Sequence, residues 1–334
     1  MAFPATMAVG EAKKIVAENP PPELTQIGGD FYRIDFRALG TECRVEFRAS
    51  LRRAAVSFRD EAFRWVCDFE RKYSRFLPDS LISEINRQAG NGWVETDAEL
   101  ESMLSLCGWF YWNTGGAFDP TTLPLTALWN HEMKQQCIPT DAQVQEALAL
   151  TGWQKVQRES GRVFLPQKGM ALDLGGIGKE YAVDRVFELA VKHNLPDVLV
   201  NFGGDLRVRG EAPTGGLWRV GLEDPADPGR CWCGLAFTDR AVATSGDYFR
   251  AFHINGRRYS HIIDPRTGWP IGNQCHSASV IAESCTEAGI LSTTGLVLGA
   301  EKGIEMMQRS RHVEGCVRTD ERIYETRQFR QYVI

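Results

Sequence analysis

The sequence predicts an α+β fold of mixed, mostly antiparallel sheets covered by helices, on three observations. From about residue 155 onward, short apolar or alternating runs follow one another with few helical stretches between them. Such runs suit neighbouring antiparallel strands better than a doubly wound parallel sheet. "FHINGRRYSH" sets Asn255-Gly256 between alternating segments, a type I′ hairpin signal. Residues 54–73 place Ala55, Phe58, Ala62, Trp65, Val66, Phe69 and Tyr73 at helical spacing, so one stripe of a long helix is buried.

Residues 1–29 end in the proline-rich "NPPPEL" and read as an extended arm, and residues 30–334 as one domain, with about 150 as the point where two subdomains would meet. "FYRIDF" and "CRVEFRA", separated by "RALGTE", form a strand pair. A second helix is expected from Ala98 to Trp112, capped by Asp97 or Thr96, and a third from Asp141 to Leu150, with Gly152 just beyond its end. "MALDL", "DVLVNFG", "LRVRG", "WRVGLED", "GLAFTD" and "AVATSG" read as strands. Two further helices interrupt them, one beginning near Ile177 and one spanning 285–298.

At 334 residues the chain can bury a large core, and 43% apolar with 24% charged residues is ordinary globular composition. A net charge of -5 and a pI near 5.8 provide no basic footprint for nucleic acid or anionic membrane. No stretch approaches the roughly 20 apolar residues of a membrane span. The N-terminus lacks a basic segment followed by an apolar one, since Pro4, Thr6 and Gly10 interrupt it, so a cytoplasmic location is expected. Nine irregularly placed cysteines fit a reducing compartment better than a disulfide framework. Strand alternation would point Cys231 and Cys233 to one face, without a second Cys/His pair at zinc-finger spacing.

"DLGGIGKE" (173–180) has an apolar run, clustered glycines, a lysine and a helix start. It is no P-loop, because Asp173 stands where the first glycine belongs and Glu180 replaces the hydroxyl. Nor is it a dinucleotide fingerprint, since the third glycine position is Tyr181. Alone it reads as a strand-to-helix turn. "GGAFDPTTLPLTALW" (115–129) and "YSHIIDPRTGWPIG" (259–272) contain Asp-Pro turns, and "VNFGGDLRVRG" a β-turn. Turn formation leaves His261 and Arg266 unexplained.

Six separated stretches carry a resemblance. "SRF" (Ser74–Phe76), "GAFDPT" (Gly116–Thr121), "DLGGIGKEYAVD" (Asp173–Asp184), "NFGGD" (Asn201–Asp205), "TSGDY" (Thr244–Tyr248) and the run Ser260–Pro270 together resemble the ApbE-type flavin transferases, known as FAD:protein FMN transferases. The similarity extends from about Ala38 to about Gly303. It implies an α+β fold with FAD in a cleft, Mg²⁺ on its pyrophosphate, and FMN transfer to a serine or threonine hydroxyl of a target protein with release of AMP. By the same resemblance Ala117, Phe118, Asp119, Asp173, Lys179 and Ile262 would contact FAD. Gly176, through its carbonyl, with Ser292 and Thr293 would hold the metal, and His261 and Asp264 would shape the reactive end. Histidine is the candidate base because its ordinary pKa lies nearest neutrality.

The last motif departs from the family's pattern A-D-x-x-[DS]-T-x-L-x-x-L-G. The chain reads "EAGILSTTGLVLG" (287–299), which puts Thr293 on the family threonine but Gly289 where the aspartate belongs. Positions four apart share a helical face, so that face has a hydroxyl and no charge. Three readings stay open: transfer with a weaker metal site, flavin binding without transfer, and FAD hydrolysis to FMN and AMP. An aspartate at 289 is expected to tighten Mg²⁺, and any residue better than glycine to stabilise the helix by a few tenths of a kcal/mol.

Overall fold

The computed structural model describes residues 20–134, 136–224, 227–246, 252–254 and 257–334. The chain enters through β1 (Thr25–Gly28), an edge strand paired with β2 (Phe31–Ala38), so the end of the expected arm joins the main sheet; residues 1–19 of that arm lie outside the described residues. β2 turns directly into β3 (Thr41–Arg48). Leu39 and Gly40 between them both take positive φ, 54° and 72°, which suits a two-residue hairpin turn.

Helix α1 (Arg52–Tyr73) buries Ala55, Phe58, Ala62, Val66, Phe69 and Tyr73 as their spacing predicts, and Phe63 and Cys67 besides. Full burial of each large side chain contributes about 1.5–3 kcal/mol. After α2 (Leu81–Arg87) and β4 (Val94–Glu95), α3 (Ala98–Asn113) starts on Asp97, whose carboxylate accepts from Leu100 N. α4 (Leu123–Lys134) precedes α5 (Asp141–Ala149), which opens in a Thr140/Gln143 capping box. β5 (Gln157–Glu159) and β6 (Arg162–Phe164) join β4 in a three-stranded sheet.

α6 (Gly178–Lys192) leads to β7 (Val198–Phe202) and β8 (Asp205–Arg209), then to the hairpin of β9 (Trp218–Asp224) with β10 (Asp227–Phe237). β11 (Arg240–Gly246) follows, then the small pair β12 (Phe252–Ile254) and β13 (Arg257–Tyr259). The Asn255-Gly256 turn expected between that pair lies outside the described residues. β14 (Cys275–Ala282), α7 (Cys285–Leu298), α8 (Ala300–Arg309), β15 (Glu314–Thr319) and β16 (Ile323–Glu325) complete the chain. The main sheet has nine strands in the order β1-β2-β3-β7-β8-β11-β14-β15-β16. All the strand pairs among the described residues are antiparallel, as expected of the fold.

Two expectations are corrected. "MALDL" is not a strand: Asn86 takes the place of a ladder partner, accepting from Leu172 N at 2.7 Å and donating to Leu172 O at 2.9 Å, while Asp173 N donates to Pro120 O at 2.8 Å. Cys231 and Cys233 do not share a face, because β10 is bulged between them; Cys231 is exposed while Cys233 packs at the edge of the second apolar cluster. No disulfide links the nine cysteines, of which Cys137 and Cys231 are exposed, Cys233 is partly buried and the other six are buried. Burial pushes the thiols of Cys107 and Cys316 up to about 12. Titration of the native protein with an aromatic disulfide is therefore expected to show two fast thiols and one slower one, the rest reacting only in denaturant. Six or more fast thiols would contradict this packing.

Candidate functional site

One buried carboxylate ties α6 to the start of α7. Asp184, on α6, accepts from Cys285 N (2.9 Å), Thr286 N (2.8 Å) and Thr286 Oγ1 (2.6 Å) at the start of α7, and from Arg207 of β8 (2.9 Å). α7 is buried on nearly all sides, with Ala288 to Ser292 and Thr294 to Val297 all covered. Its interior hydroxyls are satisfied locally: Thr294 donates to Ile290 O (2.7 Å), and Ser292 donates to Gly289 O (2.9 Å) while lying 2.8 Å from Ser245 Oγ. Thr293 is only half-buried, and its hydroxyl lies 2.7 Å from Ser245 Oγ.

The glycine-rich segment before α6 sits against the Gly116–Thr121 loop. Asp173 bridges the two through its N–H to Pro120 O, forms an ion pair with Arg75 at 3.0 Å, and accepts from Gly175 N at 2.9 Å. Gly176 is exposed, and a Cβ there would lie 3.7 Å from the Phe118 ring. Ala117, Phe118 and Asp119 are buried. Asp119 ties its own loop to the start of the next segment, its oxygens accepting from Thr121 N (2.8 Å), Thr121 Oγ1 (2.6 Å) and Trp153 N (3.2 Å). Burial raises its pKa above the ordinary carboxylate range, with those hydrogen bonds opposing the rise.

The Ser260–Pro270 segment is a turn fastened at both ends. Asp264 O accepts from Gly268 N (2.8 Å), Ile262 O from Ile271 N (2.9 Å), and Trp129 donates its indole N–H to Gly268 O (2.8 Å). Both Asp264 oxygens are engaged by Arg266, whose Nε and one terminal nitrogen each lie 2.8 Å away. Asp264 thus orients Arg266. Pro265 and Arg266 face Gly115, Gly116 and Asp119 across a cavity of about 260 Å³. His261 and Ile262, at the start of the turn, are half-buried, with Ile262 packed on the main core.

At the far side of the α6 start, Lys179 pairs with Asp205 and, at 3.0 Å, with Glu180. Asp205 is placed there by a tight turn: Gly203 and Gly204 take φ of 64° and 95°, so β8 begins directly opposite the end of β7. Its other oxygen accepts from Thr244 N at 3.0 Å. Burial pushes Asp205 up to about 7 despite Lys179, with the neighbouring Glu180 carboxylate adding to the rise. Burial alone would lower Lys179, but Asp205 and Glu180 outweigh it and hold the ammonium charged.

Sequence reasoning missed Glu180. Gly289 adjoins it so closely that a Cβ at 289 would run into Glu180 Cγ and lie 3.1 Å from its Cδ. The expectation that a larger residue at 289 simply helps the helix is overturned, since any side chain there must first displace Glu180. The only signal in the sequence was a glutamate directly after Lys179 in the same motif that later lacks an acid at 289. Asp205, Ser245 and Arg75 were quoted within motifs but given no role.

A separate cavity of about 490 Å³ is lined by Trp109, Tyr181, Asp184, Arg207, Thr286 and Glu287 among others. None of the residues expected at the site lines it. Of its polar groups, Asp184 already bonds both Arg207 and Thr286, so the 260 Å³ cavity between the Gly116–Thr121 and Ser260–Pro270 segments is the better candidate. Among the described residues no group of three or more His, Cys, Asp or Glu side chains is gathered for a metal. A magnesium site does not require one, since it uses one or two carboxylates with other oxygens, waters and substrate phosphates. No helix among the described residues is long and apolar enough to cross a membrane.

A sequence model of the ApbE family matches residues 39–317. The chain is 33% identical over 287 residues to an FAD:protein FMN transferase of Treponema pallidum, covering 81% of this chain and 79% of that protein. It is 29% identical over 323 residues to one of Salmonella typhimurium, covering 92% and 90%. The crystal structure of the ApbE protein of Thermotoga maritima superposes with a TM-score of 0.80 at 30% identity, over 90% of this chain and 99% of that one. The flavin transferase ApbE of Vibrio cholerae gives 0.79 at 27% identity, over 90% and 99%. The cavity between those two segments is thus carried on a fold and a sequence shared with these proteins, and the chain belongs to the ApbE family.

Proposed function

We propose that this protein transfers FMN from FAD to a serine or threonine hydroxyl of a target protein, releasing AMP, with Mg²⁺ at the pyrophosphate. The observation that carries the reading is the meeting of motif segments that are far apart in the chain: Gly176 lies against Phe118, Asp173 against Pro120 and Arg75, and Arg266 across a cavity from Gly116 and Asp119. The names of the relatives supply the reaction.

In the transfer, the acceptor hydroxyl oxygen attacks the phosphorus of the FMN half. The bond from that phosphorus to the oxygen of the AMP phosphate breaks, and the hydroxyl proton passes to a base. His261, half-buried at the start of the Ser260–Pro270 turn, is our candidate for that base. α6 starts at Gly178 without a side-chain cap, and the positive end of such a helix favours a phosphate. Arg266, held in a fork by Asp264, has the planar geometry that suits phosphoryl oxygens, so Asp264 acts as a positioning residue. A bound magnesium ion would neutralise charge on the pyrophosphate oxygens, with the Gly176 carbonyl and the Thr293 hydroxyl facing it and Ser292 fixing the local geometry through Ser245. Phe118, at the Gly176 side, would lie against the flavin ring. The reading without transfer rests on the missing acid at 289, and Glu180 brings a carboxylate against that position.

Incubation with FAD and Mg²⁺, with and without a peptide flavinylated by the Vibrio cholerae relative, tests the reading. AMP and a fluorescent peptide are expected only when the peptide is present. AMP without peptide would point to hydrolysis, and saturable FAD binding without AMP would sink the transfer reading. His261→Ala is expected to lower turnover by about 10²–10⁴-fold while leaving FAD affinity nearly unchanged. Equal losses in both would mark a structural histidine.

A further inference from the structure

We propose that Glu180 supplies from α6 the carboxylate that α7 lacks at Gly289, as a ligand for a divalent cation held together with the Thr293 hydroxyl. The inference rests on the FMN-transfer reading for its metal and concerns only which residue carries the negative charge.

Two observations point to it independently. The first is steric. Gly289 and Thr293 lie one turn apart on α7, so they share a face, and the Glu180 side chain fills the space on that face which a side chain at 289 would occupy. A glycine at 289 is what lets Glu180 reach there, so an acid from α6 stands where α7 lacks one. The second is an unsatisfied atom. Glu180 is only 7% exposed, its Oε1 lies 3.0 Å from Lys179 Nζ, and its Oε2 is buried without a hydrogen-bond partner. A buried carboxylate oxygen with no donor is costly unless something else compensates it.

Charge counting leads to the same place. Lys179 carries one positive charge between two buried carboxylates, Glu180 and Asp205. The cluster is therefore one positive charge short of neutrality when both acids are ionised, and buried charge is normally paired or bound to metal. Asp205 is engaged by Lys179 and Thr244 N and its carboxyl lies against that of Glu180, so with both ionised the two acids repel and Glu180 Oε2 has no donor. One carboxylate, a hydroxyl, a backbone carbonyl, waters and substrate phosphates are a common ligand set for magnesium.

Mn²⁺ serves as the probe, its free ion followed by electron paramagnetic resonance, with Mn²⁺ alone and with Mn²⁺ plus FAD. FAD binding is followed separately by flavin fluorescence. Glu180→Gln, which keeps shape and removes charge, is expected to weaken Mn²⁺ by about tenfold or more with an unchanged far-ultraviolet dichroism spectrum. The exchange variant, Glu180→Gly with Gly289→Asp, is expected to regain most of the lost affinity, which a purely structural role for Glu180 does not predict. Gly289→Ala, which pushes Glu180 aside without adding a ligand, is expected to weaken Mn²⁺ as well. Should Glu180→Gln fail to fold, the exchange variant decides: Mn²⁺ affinity near that of the wild type supports the assignment, and a folded variant without it overturns the assignment. No Mn²⁺ binding by the wild-type protein, or equal binding by folded Glu180→Gln, overturns it too and leaves Glu180 as an ion-pair partner of Lys179 only. The two readings fail separately. If FAD binds and AMP is released with Mn²⁺ affinity indifferent to Glu180, the ligand assignment alone falls; if Mn²⁺ depends on Glu180 but FAD does not bind, the transfer reading falls.

Discussion

Lys179→Met is expected to lower the free energy of unfolding by about 3 kcal/mol, the low end of what breaking a buried ion pair costs, because the lysine side chain keeps 24% of its exposure. The substitution keeps most of the aliphatic stem and removes the only cation paired with Asp205 and Glu180 among the described residues. What is lost is compensation of buried charge more than packing. The loss should grow with pH. Removing the lysine takes away the charge that opposes the burial-driven rise of Asp205 above its ordinary value of 3.8, so the folded state keeps a proton that the unfolded state releases, and stability falls as pH rises. Asp205 is already pushed up to about 7 with the lysine present, so the window opens near the ordinary carboxylate values and reaches beyond neutrality. Denaturant unfolding at about pH 5 and about pH 8 should therefore show the larger deficit at the higher pH. Lys179→Met combined with Asp205→Asn should recover much of it. A deficit below about 1 kcal/mol at both pH values would mean that water reaches the cluster and screens it.

The features legible in the sequence are those fixed by local chemistry. Asp97 and Thr140 mark the starts of α3 and α5 because a capping side chain acts within a few residues of itself. The buried stripe of α1 follows from period alone, and β2 and β3 from alternation around a turn. The features that were not legible depend on partners distant in the chain. "MALDL" has strand composition, yet Asn86 from α2 satisfies its backbone. The start of α4 is hidden because the Asp-Pro turn and the helix overlap in one polar stretch, where Pro124 costs nothing in a first turn that has no donor to lose. α8 escaped because it follows α7 with only Gly299 between them. Among site residues, motif order identified the segments, but the environment of each side chain was out of reach: Asp264 is bound to Arg266, Asp119 to the Trp153 backbone, and Glu180 lies against a glycine on another helix.

Asp184 shows how the site depends on a residue with no place in the chemistry. Both of its oxygens are used: one accepts from Cys285 N and Arg207, the other from Thr286 N and Oγ1. This carboxylate does for the first turn of α7 what a capping residue does from within a helix, in addition to Ser284, whose own side chain accepts from Glu287 N. Asp184→Ala leaves two backbone N–H groups, a hydroxyl and a guanidinium without their acceptor. Hydrogen bonds to charged groups are each worth about 1.5–3 kcal/mol, but the carboxylate borders the 490 Å³ cavity, from which water can reach some of the stranded donors. The expected loss is therefore about 2–4 kcal/mol in denaturant unfolding, with Asp184→Asn losing less because one oxygen still accepts. The damage should start at the α7 N-terminus: faster amide exchange is expected at Cys285 and Thr286, while β2 and β3, which lie across the sheet, keep their protection. Thr293 lies two turns along the same helix, so Mn²⁺ affinity should weaken in Asp184→Ala although the hydrogen bonds of Asp184 go to Cys285, Thr286 and Arg207 and not to Glu180 or Thr293. A variant within about 1 kcal/mol of the wild type, with unchanged exchange at the start of α7, would show that sheet packing alone positions that helix and that the buried carboxylate is dispensable to it.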